Sequence, residues 1–172
     1  DYGYWGGGTD PSGVKSTVDR IDFASDTTAC VTKGPLTEAK AYVSGTNSAD
    51  FGYVGGGYQP SSPYPRSTVD KIDFSNDTAS AVVRGPLTAA KYNGGSTGNE
   101  SYGYWGGGAT PSLVSTVDRV DYSNDTATAS PKGNLTNARY GTAGTGNASY
   151  GWFGGGWPVW MSLVDRIDYS ND

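Results

Sequence analysis

The sequence predicts an all-β protein built from one four-stranded unit repeated along the chain. Three observations carry that prediction. The composition is rich in aromatics and glycine, one block of motifs returns roughly every fifty residues, and turn-forming clusters cut each block into strand-sized pieces. Hydrophobic residues are only 35% of the 172, but aromatics reach 13% and there are 27 glycines. Disordered chains have few aromatics and few β-branched residues. Here Tyr and Trp supply the buried area that Leu supplies elsewhere, and glycine marks tight turns between short strands. No segment of useful length has helical periodicity, and the length suffices for one sizeable core.

The repeat is explicit. "STVDRIDF" at Ser16–Phe23 returns as "STVDKIDF" at Ser67–Phe74, "STVDRVDY" at Ser115–Tyr122 and "SLVDRIDY" at Ser162–Tyr169. Triple glycines start at Gly6, Gly55, Gly106 and Gly154, in steps of 49, 51 and 48. A third marker, "KGPLTEAK" at Lys33–Lys40, returns as "RGPLTAAK" at Arg84–Lys91 and "KGNLTNAR" at Lys132–Arg139. Counted from the aromatic strand, the units are 1–50, 51–101, 102–149 and a partial 150–172, within a single repeat domain over 1–172.

The first piece of each unit is "YGYWGGG", "FGYVGGG", "YGYWGGG" or "YGWFGGG". Strand alternation puts Tyr2 and Tyr4 on one face and Trp5 on the other, so both faces are predicted to be covered. Gly6, Gly7 and Gly8 then leave room for close backbone approach. The second piece is the Val-Asp motif, closed by "ASDT" or "SNDT", whose side chains form turns. The third, such as "ASAVVRG", is β-branched and runs into a Gly-Pro or Gly-Asn turn. The fourth, "AKYNGGSTGN" or "ARYGTAGTGN", again breaks at glycine. Four short strands per unit of this length point to β-propeller blades of four antiparallel strands, about 3.5 of them. A stacked β-solenoid ranks second, because its coils need fewer residues per turn.

These motifs resemble the kelch repeat: a glycine pair after an aromatic strand, a Val-x-x-aliphatic-Asp strand, and a later basic position. Gly6–Gly8, Val18, Ile21, Asp22 and Lys40 carry the likeness, and each recurs. A kelch unit normally has Trp on its third strand, and "TTACVTKG", "TASAVVRG" and "TATASPKG" have none, so packing between blades must be filled differently. Ser115–Gly156 also resembles repeat arrays in structural proteins of marine viruses, notably phages of cyanobacteria. That resemblance implies a virion, fibre or tail-associated component.

Chemistry is sparse by comparison. The net charge of −5 disfavours binding to nucleic acid or an anionic membrane surface, and no apolar run reaches membrane-span length. Twelve of the fifteen aspartates lie in the repeated motif. As a site they would be calcium ligands or paired catalytic acids. As struts, the middle base would pair with flanking or cross-blade acids while Asp22 and Asp26 accept turn N–H groups. A catalytic site needs one copy and a scaffold needs one per blade, so the strut reading is preferred. It covers Asp19, Arg20 and Asp22, then Asp70, Lys71 and Asp73, then Asp118, Arg119 and Asp121, then Asp165, Arg166 and Asp168. No His is present, Glu38 and Glu100 are the only glutamates, and no phosphate loop occurs. A non-enzymatic protein without cofactor or metal is expected. Cys30 occupies a slot filled by Ala81 and Ala129 in later units and is expected to be a small apolar filler. Five Asn-x-Ser/Thr triplets (Asn76, Asn99, Asn124, Asn134, Asn147) read as turn chemistry rather than glycan acceptors.

The copies differ most between the triple glycine and the Val-Asp strand, where Tyr58, Tyr64, Trp157 and Trp160 stand. Variable per-repeat loops tend to share one face, often the binding face, and exposed Tyr and Trp contact sugars and proteins well. The expectation is a structural or attachment component of a larger assembly, located in a virion or outside the cell. Its partners would be other copies of itself, other virion proteins or a host-surface glycan. The alternatives are a secreted glycan-binding adhesin and, third, a propeller enzyme. Three whole units plus two strands fit either a window of a longer polypeptide or copies that complete a ring together.

Overall fold

The computed structural model describes every residue from Asp1 to Asp172, and the protein is all-β. The strands are β1 (Tyr2–Gly6), β2 (Thr9–Asp10), β3 (Gly13–Val14), β4 (Val18–Asp22), β5 (Val31–Lys33), β6 (Ser44–Asn47), β7 (Phe51–Gly55) and β8 (Val69–Asp73). They continue with β9 (Val82–Arg84), β10 (Gly95–Gly98), β11 (Tyr102–Gly106), β12 (Thr116–Asp121), β13 (Ser130–Asn134), β14 (Ala143–Gly146), β15 (Tyr150–Gly154) and β16 (Val164–Asp168). Helix is limited to three 3₁₀ turns, at Phe23–Ser25, Phe74–Asn76 and Tyr122–Asn124.

Four successive antiparallel sheets form: sheet I (β1-β4-β5), sheet II (β6-β7-β8-β9), sheet III (β10-β11-β12-β13) and sheet IV (β14-β15-β16), beside a small β2-β3 hairpin. Their registers repeat. Tyr4 faces Arg20, Tyr53 faces Lys71, Tyr104 faces Arg119 and Trp152 faces Arg166.

The sheets run one strand out of phase with the sequence unit. The end of each fourth piece ("SGTN", "GSTG", "AGTG") pairs with the aromatic strand of the unit that follows. Loop length explains this. A short turn joins β6 to β7, closed by Ser48 N–H donating to the Phe51 carbonyl at 3.0 Å, and such turns make hairpins. The link from β5 to β6 spans the whole "GPLTEAKAYV" arm, which crosses to the next sheet instead.

Each Val-Asp strand ends in a carboxylate cap. Asp22, Asp73 and Asp121 accept from the backbone N–H groups of Ala24, Ser75 and Ser123 at 2.8–2.9 Å, starting the 3₁₀ turns. Asp168 does the same for Ser170 at 3.0 Å.

The core consists of three apolar clusters, and each straddles two sheets. Val18 and Leu36 meet Val54, Ile72 and Ala81. Tyr53, Val69 and Leu87 meet Trp105, Val120 and Ala129. Tyr104, Val117 and Leu135 meet Phe153 and Tyr169. Each cluster takes a leucine from the crossing arm, and stability therefore resides in neighbour contacts, as in other repeat arrays.

Close packing requires the glycines. A Cβ on Gly55 would lie 2.6 Å from the Trp105 indole nitrogen, and one on Gly106 would lie 2.8 Å from the Phe153 ring. Trp105 slides under Gly55 and donates to the Ser44 carbonyl at 3.0 Å. Both faces of β7 and β11 are thus covered, whereas in β1, the strand that carries the expectation, Tyr2 and Trp5 are 48% and 58% exposed, because no sheet packs over Trp5 as sheet II packs over Trp105. Gly56 adopts φ +67 and would press a Cβ to 2.5 Å from the Lys91 carbonyl oxygen, so no other residue fits there.

Candidate functional site

The repeated charges assemble into two layers at every sheet junction. In the first layer, a carboxylate just past the capped turn receives three groups from the preceding sheet. Asp77 accepts the Tyr4 hydroxyl at 3.0 Å and Arg20 at 2.7 Å, with Lys33 at 3.2 Å. Asp125 receives Tyr53, Lys71 and Arg84 in the same way, and Asp172 receives Tyr104, Arg119 and Lys132. Above it, Tyr4 stacks on Phe74, Tyr53 on Tyr122 and Tyr104 on Tyr169, with ring centroids 4.4–4.9 Å apart.

In the second layer, the first acid of the second, third and fourth Val-Asp motifs meets the basic residue of the preceding arm, whereas Asp19 of the first has no basic partner and accepts the Thr32 hydroxyl at 3.0 Å. Lys40 pairs with Asp70 and Lys91 with Asp118 at 2.9 Å, and Arg139 pairs with Asp165 at 2.7 Å. Thr37, Thr88 and Thr136 donate their hydroxyls to the same acids. Lys40, Asp70 and Asp118 are completely buried. Lys91 further donates to the Trp105 carbonyl at 2.9 Å.

Ionisation follows from these contacts. Burial raises the Asp77 carboxyl, but Tyr4, Lys33 and Arg20 outweigh it and hold the group below its ordinary range. Burial, reinforced by the neighbouring carboxylate, pushes the Tyr53 and Tyr104 phenols well above theirs. Burial pulls the Lys91 ammonium down, and Asp118 opposes that pull.

Two expectations need amendment here. Asp26 and its counterparts Asp77, Asp125 and Asp172 do not cap turns with their side chains. At the three internal junctions they are the anchors between sheets. Cys30 is exposed, whereas Ala81 and Ala129 are buried. The slot is covered where an arm packs over it, as when Ala81 N–H donates to the Pro35 carbonyl at 2.9 Å, and no arm covers the one in sheet I.

The variable loops gather aromatics at one end of the sheets. Tyr58 stacks on Tyr64 at 6.2 Å and lies within 5.6–6.2 Å of Tyr92 and Tyr42. Trp157 packs 5.3 Å from Tyr140. Trp160 projects into solvent, 93% exposed. The loops bridge to the arms at Ala41–Tyr58, Tyr92–Ala109 and Tyr140–Trp157, so alanine opposite tyrosine swaps sides between the first two units. Sequence reasoning missed Tyr42, Tyr92 and Tyr140. Their signal was the aromatic within two residues after the basic residue in "AKAY", "AKY" and "ARY". Backbone bonds tie this end together: Asn93 N–H donates to the Tyr42 carbonyl at 2.8 Å and Gly141 N–H to the Asn93 carbonyl at 2.7 Å.

At the opposite end, the short turns frame a polar cleft of about 570 Å³, reaching Thr46, Asn47, Thr97, Asn99 and Asn147. Asn99 and Asn147 spend their side-chain carbonyls on turn N–H groups at 2.8–3.0 Å. Glu100, the only charge there, accepts from Ala49 N–H at 2.8 Å. No three His, Cys, Asp or Glu side chains cluster in a way that could hold a metal ion. No helix is long and apolar enough to cross a membrane. Compared with known proteins, the chain matches no family model and no curated protein.

Proposed function

We propose that the four sheets are blades of a kelch-like β-propeller and that the protein is a non-enzymatic structural or attachment component of a larger assembly, a virion or its fibre. Support for radial packing comes from the innermost strands β6, β10 and β14, which lie against one another. Ser96 Oγ donates to the Gly45 carbonyl at 2.5 Å and Thr97 Oγ1 to the Thr145 carbonyl at 2.7 Å. One observation carries the functional reading. At the three internal junctions the repeated carboxylates are spent on neighbouring sheets, while the residues that differ between units form an aromatic platform at one end. A rigid array of that kind presents loops and gains affinity from repeated contacts. Immuno-electron microscopy with antibodies against the chain tests the assignment. Labelling of assembled particles is the expected result, and labelling confined to free protein refutes it.

The exposure of Trp160 favours a second reading, a surface adhesin that binds glycans. Selective glycan-array binding, lost in Trp160→Ala at unchanged thermal stability, would establish it.

A further inference from the structure

One residue of the aromatic platform is held in a backbone conformation that its side chain disfavours. Tyr42 has φ +54, in the left-handed region, and its counterparts Asn93 and Gly141 have +57 and +68. All three stand two residues after the base of the arm. A backbone relay fixes the slot, with Asn93 N–H donating to the Tyr42 carbonyl and Gly141 N–H to the Asn93 carbonyl. Asn and Gly take up that conformation readily, whereas a tyrosine there is strained. Burial does not account for the choice, because Tyr42 stays 53% exposed. The slot instead brings the Tyr42 ring to 6.2 Å from Tyr58 and 6.1 Å from Tyr92.

Three features define what this cluster can hold. The tyrosines at sheet junctions use their hydroxyls inside the chain, Tyr4, Tyr53 and Tyr104 on carboxylates and Tyr122 and Tyr169 on threonines. The phenols of Tyr42, Tyr58, Tyr64 and Tyr92 make no such bond, so four hydroxyls stand free beside their ring faces. The charges beside the loop cancel. Arg66 pairs with Glu38 at 3.3 Å, and Gln59 donates to Glu38 at 3.1 Å and to the Ala39 carbonyl at 2.7 Å. Ala89 and Asn137 replace Glu38 in the later arms, so this clamp pins only the loop that carries Tyr58 and Tyr64. Finally, the rings leave no slot between them, since the cavity reaching Tyr42 and Tyr92 is about 10 Å³.

We propose that Tyr42, Tyr58, Tyr64 and Tyr92 form a binding site for a neutral saccharide, with Tyr42 as a required contact. A pyranose ring with equatorial hydroxyls has flat C–H faces that lie on exposed tyrosine rings, and its hydroxyls reach the free phenols. An acidic or basic ligand would find no counter-charge on these rings. A protein or proline-rich partner would need a pocket or groove for its anchoring side chains, and the rings close that space. The left-handed slot then has a reason: it turns the ring of the first arm onto Tyr58, whereas the later arms carry their tyrosine one residue earlier. This inference rests on reading this end of the sheets as the one that makes contacts, and takes nothing from Trp160.

An array carrying neutral oligosaccharides, sialylated and sulfated oligosaccharides, and proline-rich peptides, probed with the labelled full chain, tests it. The expected result is binding to neutral oligosaccharides that falls about tenfold or more in Tyr42→Asn and in Tyr64→Ala. Asn is the residue of the same slot in the next arm and Tyr64 is 53% exposed, so both variants keep a cooperative urea transition. Should Tyr42→Asn lose that transition, Tyr64→Ala decides alone. Tyr42→Phe keeps the ring without its hydroxyl and falls between the wild type and Tyr42→Asn. Binding only to acidic glycans, only to peptides or to nothing overturns the proposal, as does neutral-glycan binding that Tyr42→Asn and Tyr64→Ala leave intact. Binding lost in Trp160→Ala but kept in both tyrosine variants overturns this site and upholds the adhesin reading. Antibody labelling of particles does not depend on any of these results, so the assembly assignment stands or falls separately.

Discussion

The buried pair Lys91–Asp118 offers the sharpest test of the strut assignment. The ammonium and the carboxylate stand 2.9 Å apart with side-chain exposures of 4% and 1%. Lys91 also donates to the carbonyls of Trp105 and Thr116, and Asp118 accepts from Thr88. At an effective dielectric near 20, unit charges about 3 Å apart attract by about 5 kcal/mol, which roughly offsets the cost of removing both from water. Asp118→Asn keeps the shape but leaves the ammonium buried beside an amide, and losing one member of such a pair costs about 3–5 kcal/mol. That is a large part of the 5–15 kcal/mol typical of a domain. In urea, with a slope of about 1–3 kcal/mol per molar, the unfolding midpoint should fall by about 1–5 M, read from tryptophan fluorescence. The loss should depend on pH. Lys91 titrates below its ordinary 10.5 in the folded protein, so the unfolded chain binds more protons between the two values and stability rises with pH in that interval. Without Asp118 the interval extends downward, and Asp118→Asn should be least damaging in alkali. Pairing Lys91→Met with Asp118→Leu should recover most of the loss, since an apolar replacement leaves no buried charge. A midpoint shift under about 0.3 M for Asp118→Asn, with the transition still cooperative, would refute the reasoning.

Further outcomes follow from the same junctions. Gly55→Val should cost about 1–3 kcal/mol or more by driving a side chain into the Trp105 indole, measured by the same urea transition. The Tyr53 and Tyr104 phenols titrate above their ordinary 10.0; their contribution to stability is complete below 10.0 and is lost as pH climbs beyond it. Phenolate absorbance at alkaline pH should therefore rise together with unfolding rather than before it. Asp77 and Asp165 titrate below their ordinary 3.8, so their contribution is present above 3.8 and disappears as pH falls through the folded values. Circular dichroism should record acid unfolding at that end. Leu87→Ala should cost about 2–5 kcal/mol, because the side chain is 2% exposed and anchors a cluster spanning two sheets.

Much of this was legible in the residues themselves. The four Val-Asp copies and the triple glycines give the period, and strand alternation in "YGYW" gives two opposed aromatic faces, because side chains alternate with period two whatever lies beyond the strand. Which copy has both faces covered was not legible, since Trp105 is 2% exposed and Trp5 58%. The clustering of Tyr58 with Tyr64 followed from their shared variable loop. The pairing partners were not legible. Whether "SGTN" closes one sheet or opens the next depends on which loop is short enough to be a hairpin, and local pattern reads the same either way. The carboxylates at Asp77 and Asp125 look like turn residues because their partners, Tyr4 with Arg20 and Tyr53 with Lys71, lie more than fifty residues earlier. Sequence alone thus determined the repeating strand and its faces, since those depend on local geometry. Only the tertiary structure decided which sheet buries which charge, since an ion pair exists only where stacking brings distant residues together and strips them of water.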